Sequence, residues 1–447
     1  MTRLESSGAP DTEEFLGAAI TASGLATRGP VRIPVERYLS AEFAALERER
    51  LWPRVWLIAC SVDHVAEPGD HFEFRTGPYS VVVVRGDDGV LRAFQNACRH
   101  RGNALCTGAG QGLTELRCGY HFWTWDLQGR LREVPSRKGF GGLRNDDYPL
   151  IPVRVDTWGP LVFVNLDPEA MPLSEYLEGV PDDIAWSGIE EFACTYTTIT
   201  PVPANWKVVA EGFSETYHVQ GLHREMLGCF DDIESGQRLW DLHGVSYQPY
   251  GVPSPRLGRD VPDQVVWDSF VLTQGGRLGP GHDPGVSMPA VPSGMTALHV
   301  IAEGIRRHQA TRGVDLARFD DREMLLLSQY NLFPNATVLV SSDLFTVLAA
   351  QPGPTPAESH LVAMHFARRP PAAPAVRPVD AHVPIAQADF GFVLNADFRV
   401  VETVQIGLGQ PGLTHLALSS EECRVINLHR NLSRYLGVTD PTAGHQL

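Results

Sequence analysis

Two short loops constrain this 447-residue chain more than any other feature: Cys98-Arg-His100 and, seventeen residues further on, Cys118-Gly-Tyr-His121. Each loop offers one thiol and one imidazole. Four such ligands on two loops can hold a metal with little loss of chain entropy when flanking strands already fix the loops. Their order narrows the choice of metal. Zinc fingers group Cys with Cys and His with His, C-x-x-C and then H-x3-H, and the mixed order here departs from that pattern. A two-iron cluster with both Cys on one iron and both His on the other needs each loop to serve both irons. Its two imidazoles raise the reduction potential above that of an all-Cys cluster.

The surroundings of the loops read as strands. Trp56–Ala59, Tyr79–Arg85, Val90–Phe94 and Leu161–Asn165 are short runs rich in apolar and β-branched residues, with Asp87-Asp-Gly89 as a hairpin turn. An all-β unit over 51–168 is expected, with the metal loops at strand ends. Before it, in a segment 1–50 expected to pack on the C-terminal unit, Ser40–Leu51 reads as a helix with Ser40 as N-cap and Glu42 in its first turn. Phe43 prevents a full capping box, and Trp52-Pro53 ends the helix. Over 169–447 the texture is mixed: a helix from Trp206 to about His218, and a Gly- and Pro-rich stretch over 244–296 read as a covering loop. Strands follow at Thr337–Val340, Leu344–Ala349 and His360–Phe366, with helices over Asp397–Leu408 and Glu421–Leu436. The turn Pro352-Gly-Pro-Thr-Pro implies an antiparallel pairing. The expected class is α+β, an all-β [2Fe-2S] domain plus a mixed domain built on an antiparallel sheet with covering helices.

A second constellation lies in Asn205-Trp-Lys through Glu215-Thr-Tyr-His218-Val-Gln-Gly-Leu-His223. Residues five apart on a helix sit about 140° from each other. His218 and His223 therefore reach one metal only if the helix ends or bulges between them, and Gly221 offers backbone freedom there. Two His and one carboxylate make the facial triad of non-haem Fe(II). By itself H-x4-H is a weak signal, which two unrelated histidines explain as well.

Asn96–Gly102 and Cys118–Gly129 resemble the Rieske domain of aromatic-ring-hydroxylating oxygenases, and Asn205–His223 is similar to the N-W-K through D/E-x-x-H-x4-H signature of their catalytic domain. Asn395-Ala-Asp397 through Glu402 resembles the D-x4-E segment that carries the family's carboxylate ligand. The resemblance runs over roughly 35–435 and implies a catalytic α subunit. It implies a Rieske [2Fe-2S] cluster on Cys98, His100, Cys118 and His121, and a mononuclear Fe(II) on His218, His223 and Asp397. Glu215 then bridges His218 to His121 of a neighbouring subunit and carries the electron path. Glu402 and Asp389 are competing ligands, and a plainer alternative makes Asp397 a helix N-cap with Glu402 and Gln405 solvated. The chain departs from the family at Phe122, often Gly, at Glu215, often Asp, and at Gly212, often Asn. Phe122 is expected to alter packing at the cluster, Cys106 matches no ligand position and reads as a buried thiol, and Phe333-Pro-Asn335 reads as structural.

No G-x-G-x-x-G at a strand-to-helix turn and no plant-type ferredoxin cysteine set occur in the sequence, so the resemblance implies electrons from NAD(P)H through a separate flavin reductase, a ferredoxin, or both. It implies a head-to-tail homotrimer, with or without a small β subunit. The expected reaction is mono- or cis-dihydroxylation of an aromatic or hydrophobic substrate, as in aromatic hydrocarbon catabolism, with oxidative demethylation or other dealkylation as the alternative. Met226, Leu227, Phe230, Trp240, Trp267, Phe270 and Met288 are candidate pocket residues, and Arg256, Arg259 and Arg277 candidate carboxylate contacts. Rival readings are an electron-transfer protein without mononuclear iron and a zinc hydrolase at His218, His223 and Asp397. The formal net charge of −16 argues against nucleic-acid and polybasic membrane-surface partners. Seven scattered cysteines, no basic n-region before Phe15–Ala26 and no apolar run of about eighteen residues lead to the expectation of a reduced cytoplasmic protein without a membrane span.

Overall fold

The computed structural model describes residues 29–443 except 234, 259, 283–286, 290–293, 371–372 and 375. The first 28 residues and Arg259, both part of the expectations above, lie outside the described residues. The strand-rich region forms a seven-stranded sheet in the order Leu57–Ser61, Leu161–Asn165, Pro152–Trp158, Leu91–Gln95, Tyr79–Arg85, His71–Thr76, Ala109–Gly110. A three-stranded sheet of Leu116–Arg117, Thr124–Trp125 and Leu131–Glu133 accompanies it. The unbroken valine run at Val81–Val84 has a simple cause. Val81 and Val83 face the main core, while Val82 and Val84 face a second cluster with Leu116, Trp123 and Trp125 beneath the metal loops. Both faces of this strand are buried, so alternation with polar residues is lost.

The second unit is an eight-stranded sheet: Gln237–Leu239, Gly244–Pro249, Leu326–Leu332, Ala336–Val340, Phe345–Pro352, Ser359–Arg368, Phe192–Val202 and Val379–His382. Every pair is antiparallel except the last, which is parallel. The turn at Pro352–Pro356 closes a hairpin as expected, Gly353 N donating to Glu358 O at 2.9 Å. The stretch over 244–296 is not one irregular covering loop. It contains a core strand and the helix Asp263–Gln274, because Val266, Trp267, Phe270 and Val271 supply a buried apolar stripe. The C-terminal helix expected from Asp397 begins earlier and spans Gly391–Leu408, and the last helix is Cys423–Leu436. No described helix is long and apolar enough to cross a membrane.

Ser40 caps its helix as expected, its Oγ accepting from Phe43 N at 3.1 Å. The helix over Ala41–Leu46 then loosens into a wider turn over Glu47–Leu51. The segment is tied to the second unit. Val31–Pro34 pairs antiparallel with His415–Leu418, and Glu47 accepts from Lys207 Nζ at 2.6 Å and Trp206 Nε1 at 3.1 Å. Lys207 is fully buried, and burial lowers its pKa against the opposing pull of Glu47. Glu47 is equally enclosed.

Two stability predictions follow from these buried groups. Lys207→Met strands the Glu47 carboxylate without its cation and should cost roughly 3–5 kcal/mol in urea unfolding. Adding Glu47→Gln should recover most of that loss. His243, fully buried, accepts from Phe333 N at 3.0 Å through Nδ1 and donates to Tyr176 O at 2.7 Å through Nε2, and burial lowers its pKa to about 4. The unfolded chain takes up this proton near pH 6.5, so stability should fall as pH drops from about 6.5 toward 4, by up to about 3 kcal/mol. His243→Gln should flatten that slope in thermal unfolding.

Candidate metal centres

The two metal loops are each closed by backbone bonds. In the first, Cys98 N donates to Asn103 O at 2.8 Å and Gly102 N to Cys98 O at 2.9 Å. In the second, Cys118 N donates to Trp123 O at 2.9 Å and Phe122 N to Cys118 O at 3.0 Å. These turns bring the thiols of Cys98 and Cys118 within hydrogen-bonding reach and set the rings of His100 and His121 4.6 Å apart. His100 stacks on Trp123 at 5.2 Å, and its Nδ1 is buried without a partner among the described residues. An orphaned imidazole nitrogen beside a second imidazole and two facing sulfurs is a donor set that fits a two-iron cluster with split ligation.

Electrostatics within the loops favour sulfur anions unevenly. Burial raises the pKa of Cys98. Burial also pushes Cys118 up, but N–H bonds from Tyr120 and His121 and side-chain bonds from Cys98 and Asn103 outweigh it, and the net shift is downward. Tyr120 N lies 3.5 Å and Asn103 Nδ2 3.8 Å from Cys118 Sγ. Burial, then the charges of His100 and Arg101, lower the pKa of His121. Phe122 takes φ +59°, a left-handed conformation costing a non-glycine residue on the order of 1 kcal/mol, which accounts for the family's frequent glycine there. Cys106 is no part of this set; burial raises its pKa to about 11.

The second constellation also converges. One ligand atom each from His218, His223 and Asp397 lies within 4.8 Å of the others. The helix that begins at Trp206 ends at Gly212, six residues earlier than expected, and a new turn of helix covers only Val219–Leu222. His218 caps that turn at its start and His223 ends it at φ −119°, so the break, rather than Gly221, swings the two rings together. Gly221 keeps an ordinary helical backbone. Asp397 comes from the interior of Gly391–Leu408 and is not an N-cap. His223 Nε2 lies 2.8 Å and His218 Nε2 3.7 Å from Asp397 Oδ1. Asp397 and His223 are buried, and His223 Nδ1 has no partner among the described residues. Two imidazole Nε2 atoms and a carboxylate around one point form a set that fits a single divalent metal.

Glu215 is not on a helix, yet it reaches His218 twice. Its Oε1 lies 2.5 Å from His218 Nδ1 and its Oε2 accepts from His218 N at 3.0 Å. Burial would lower the pKa of His218, but the bond and charge of Glu215 and the charge of Asp397 raise it. Tyr217, between them, is 47% exposed. Gly212 leaves open space where a side chain could stand.

Several other expectations are revised by the packing. Asp389 is exposed and bonds Gly391 N and Asn395 Nδ2, and Glu402 is exposed, so neither joins the cluster of ligands. Gln405 is not solvated: its Oε1 accepts from Asn205 N at 2.9 Å, tying the Asp397 helix to the cap of the Trp206 helix. Arg277 is buried against Asp343, 2.5 Å away, and Arg256 pairs with Asp232 at 2.5 Å, which leaves neither free to meet a substrate carboxylate. Met226, Leu227, Phe230, Trp267 and Phe270 belong to the main core, with Trp240 and Met288 packed against it. Two features escaped the sequence reading altogether: Asn103 as a donor to sulfur, and a buried array in which Glu211 accepts from Tyr38 Oη at 2.9 Å and meets His429 Nε2 at 2.9 Å. Both rest on residues far apart or too ordinary in type to stand out.

Comparison with known proteins identifies the family. The model of the ring hydroxylating alpha subunit catalytic domain matches residues 184–438, and that of the Rieske [2Fe-2S] domain matches residues 55–152. The carnitine monooxygenase oxygenase subunit of Escherichia coli (strain K12) is 31% identical over 227 residues, 50% of this chain and 59% of that protein. The glycine betaine monooxygenase oxygenase subunit of Chromohalobacter salexigens is 31% identical over 215 residues, covering 46% of this chain and 47% of its own length. Benzene 1,2-dioxygenase subunit alpha of Pseudomonas putida is 32% identical over 219 residues, 47% and 48% of the two chains. The chain thus spans about half the length of the curated relatives it matches. A crystal structure of the quaternary ammonium Rieske monooxygenase CntA with L-carnitine superposes with a TM-score of 0.64 at 17% identity, over 96% of this chain and 99% of that one. Naphthalene 1,2-dioxygenase with indole bound gives 0.62 at 18%, over 92% and 93%. These relatives do not support aromatic hydrocarbon catabolism as the specific role.

Proposed function

The chain belongs to the ring-hydroxylating α subunits of the Rieske oxygenases, whose Rieske domain binds a [2Fe-2S] cluster and whose catalytic domain binds a mononuclear iron, and we propose that it is the oxygenase component of a system fed by a separate NAD(P)H-dependent reductase. The observation that carries the proposal is the meeting of His218, His223 and Asp397 within 4.8 Å, with the other ring nitrogen of His218 held by Glu215. The ligands assigned are Cys98, His100, Cys118 and His121 for the cluster and His218, His223 and Asp397 for the iron. When bound, the two groups supply electron storage and dioxygen activation. Monooxygenation balances as RH + O2 + 2 electrons + 2 protons giving ROH + H2O.

The chain's own residues do the positioning. Glu215 holds the proton of His218 on Nδ1, which turns the Nε2 lone pair toward Asp397. His223 Nε2 lies 2.8 Å from Asp397 Oδ1, and a metal held by both side chains would take the place of that contact. Phe213 and Phe398, the residue after Asp397, are buried and pack against each other with ring centres 6.2 Å apart. Glu215 offers remaining carboxylate lone pairs to His121 of a second copy, which makes it the bridge of the electron path in a head-to-tail homotrimer. For the substrate we place a small quaternary ammonium compound ahead of an aromatic hydrocarbon, because carnitine and glycine betaine monooxygenase subunits are among its relatives. Hydroxylation of a carbon bonded to nitrogen gives a product that loses a proton and breaks its C–N bond to a carbonyl and a free amine.

Metal analysis tests the site. Anaerobically purified protein should hold about three irons and two acid-labile sulfides per chain, with the low average g value of a His-ligated cluster on reduction. His223→Ala should drop the iron to about two, leave the cluster spectrum unchanged and abolish oxygen uptake with carnitine, glycine betaine and benzene alike. Full iron occupancy and turnover in that variant would remove the triad. Turnover of the arene alone by the wild type would reverse the substrate order. Glu215→Gln should keep both metal sites and slow oxidation of the reduced cluster by roughly tenfold or more. A wild-type rate in stopped-flow measurements would end the bridge assignment.

A further inference from the structure

The helix that begins at Trp206 stops short, and a helix that stops leaves its last carbonyls without partners along the chain. Phe213, at which it ends, is buried. Its carbonyl is met by two side chains of the strand Leu326–Leu332: Gln329 Nε2 and Asn331 Nδ2 each donate to Phe213 O at 2.8 Å. Residues two apart on a strand face the same way, so one strand can supply both donors. Asn331 Nδ2 donates a second time, to Thr337 Oγ1 at 2.9 Å on the neighbouring strand. The backbone is thus held from the sheet a short step before His218.

A carboxamide can turn either end toward a neighbour, and only its nitrogen end can serve Phe213 O. Arg424, on the last helix, decides which. A guanidinium carries donors alone, and Arg424 Nη1 donates to Asn331 Oδ1 at 2.6 Å, which leaves Nδ2 to face Phe213. The same Nη1 reaches Gln329 O at 3.4 Å, and Nε donates to Gln237 Oε1 at 3.0 Å. All three acceptors are uncharged. Buried Arg277 and Arg368 meet carboxylates, but Arg424 makes no ion pair among the described residues, and its Nη2 is buried without a partner there. Arg424 is 3% exposed, and burial lowers its pKa to about 10, which keeps it a cation at neutral pH. Enclosing a cation without an anion is costly. Gly244 makes the approach possible: it stands opposite Asn331 in the ladder, and a Cβ there would meet Arg424 Cγ at 3.0 Å.

We infer that Arg424 is a positioning residue for the iron site: by orienting Asn331 it holds the Phe213 carbonyl, and with it the break that turns His218 and His223 toward one ion. The inference rests on the reading of His218, His223 and Asp397 as ligands of a mononuclear iron. Among the described residues no hydrogen bond joins Arg424 to any of the three, so it acts through Asn331 alone. The cost of the unpaired cation is offset by the order it imposes on a carbonyl that the helix break would otherwise leave with one donor fewer. Fold stability and metal binding therefore make separate demands on this side chain.

The test uses the full chain with the Rieske cluster in place and Fe(II) supplied to the second site. Arg424→Met removes a buried cation that has no anion, so the unfolding temperature should change little. Asn331→Asp keeps the shape of the side chain and gives Arg424 an anion, but it has no N–H for Phe213 O. In both variants the reduced-cluster spectrum should be that of the wild type, while Fe(II) affinity, measured by competition with a chelator, should fall by about tenfold or more. The electron paramagnetic resonance of the nitric oxide complex of the second iron, which reports ligand geometry, should change shape. Arg424→Lys, which keeps a donor for Asn331 Oδ1, should restore most of the affinity. Wild-type affinity and a wild-type nitric oxide spectrum in Arg424→Met and Asn331→Asp would overturn the inference. So would a loss of iron that only follows a fall in unfolding temperature, which is what a general loosening of the fold would give. A wild-type chain that takes up no iron beyond that of its cluster would instead refute the oxygenase reading itself.

Discussion

Two histidines five residues apart cannot face one ion from a continuous helix, and most of the catalytic unit can be understood as a way of breaking that helix and holding the pieces. The Trp206–Gly212 helix is anchored at its start: Asn205 accepts from Lys207 N, donates to Tyr38 O and Pro356 O, and receives Gln405 at its own N–H. Glu47 grips Trp206 and Lys207 from the N-terminal segment. With the first half so fixed, the chain can leave helical geometry at Phe213 and re-enter it for a single turn between the histidines. Gln405 then has a second effect. It lies on the Asp397 helix, so the same bond that secures the cap also sets where Asp397 enters the site.

The loops at the other end meet a different demand, which is to offer two sulfurs and two imidazoles on parts of the chain short enough to stay rigid. Each loop is closed by a pair of backbone bonds around its own Cys, and a separate small core under Val82 and Val84 holds the pair together. That arrangement leaves the imidazoles at the outer end, where His121 is only half-buried while both thiols lie inside. Sulfur is thereby kept from water, and the histidine edge is the more exposed side of the loops.

Local features of both centres were legible in the sequence because their geometry depends on short spacing. C-x-H and C-x-x-H describe single turns, and a five-residue gap excludes a straight helix whatever the rest of the chain does. The Ser40 cap and the strands Tyr79–Arg85 and Leu161–Asn165 were readable for the same reason. What could not be read was the outcome of competition between distant partners. The Arg256 and Arg277 guanidinium groups look available in a list of residues, but Asp232 and Asp343 claim them in the folded chain. Gln405 looks like a solvated helix residue until Asn205, two hundred positions away, supplies a donor. The 244–296 stretch was misread because its Gly and Pro residues flank an apolar stripe that only the core reveals as a helix.

The two sheets are joined by a seam of side-chain bonds. His64 Nε2 lies 3.0 Å from Asp380, Cys194 N donates to Asp63 at 2.8 Å, and Arg369 and Arg377 reach Asp63 and Asp70 at 3.4 and 3.3 Å. These bonds run between the first sheet and its margins on one side and the edge of the eight-stranded sheet on the other. A single hydrogen bond of this kind is modest, but several in one seam, joined to a main core that includes side chains of both sheets, hold the two sheets as one unit.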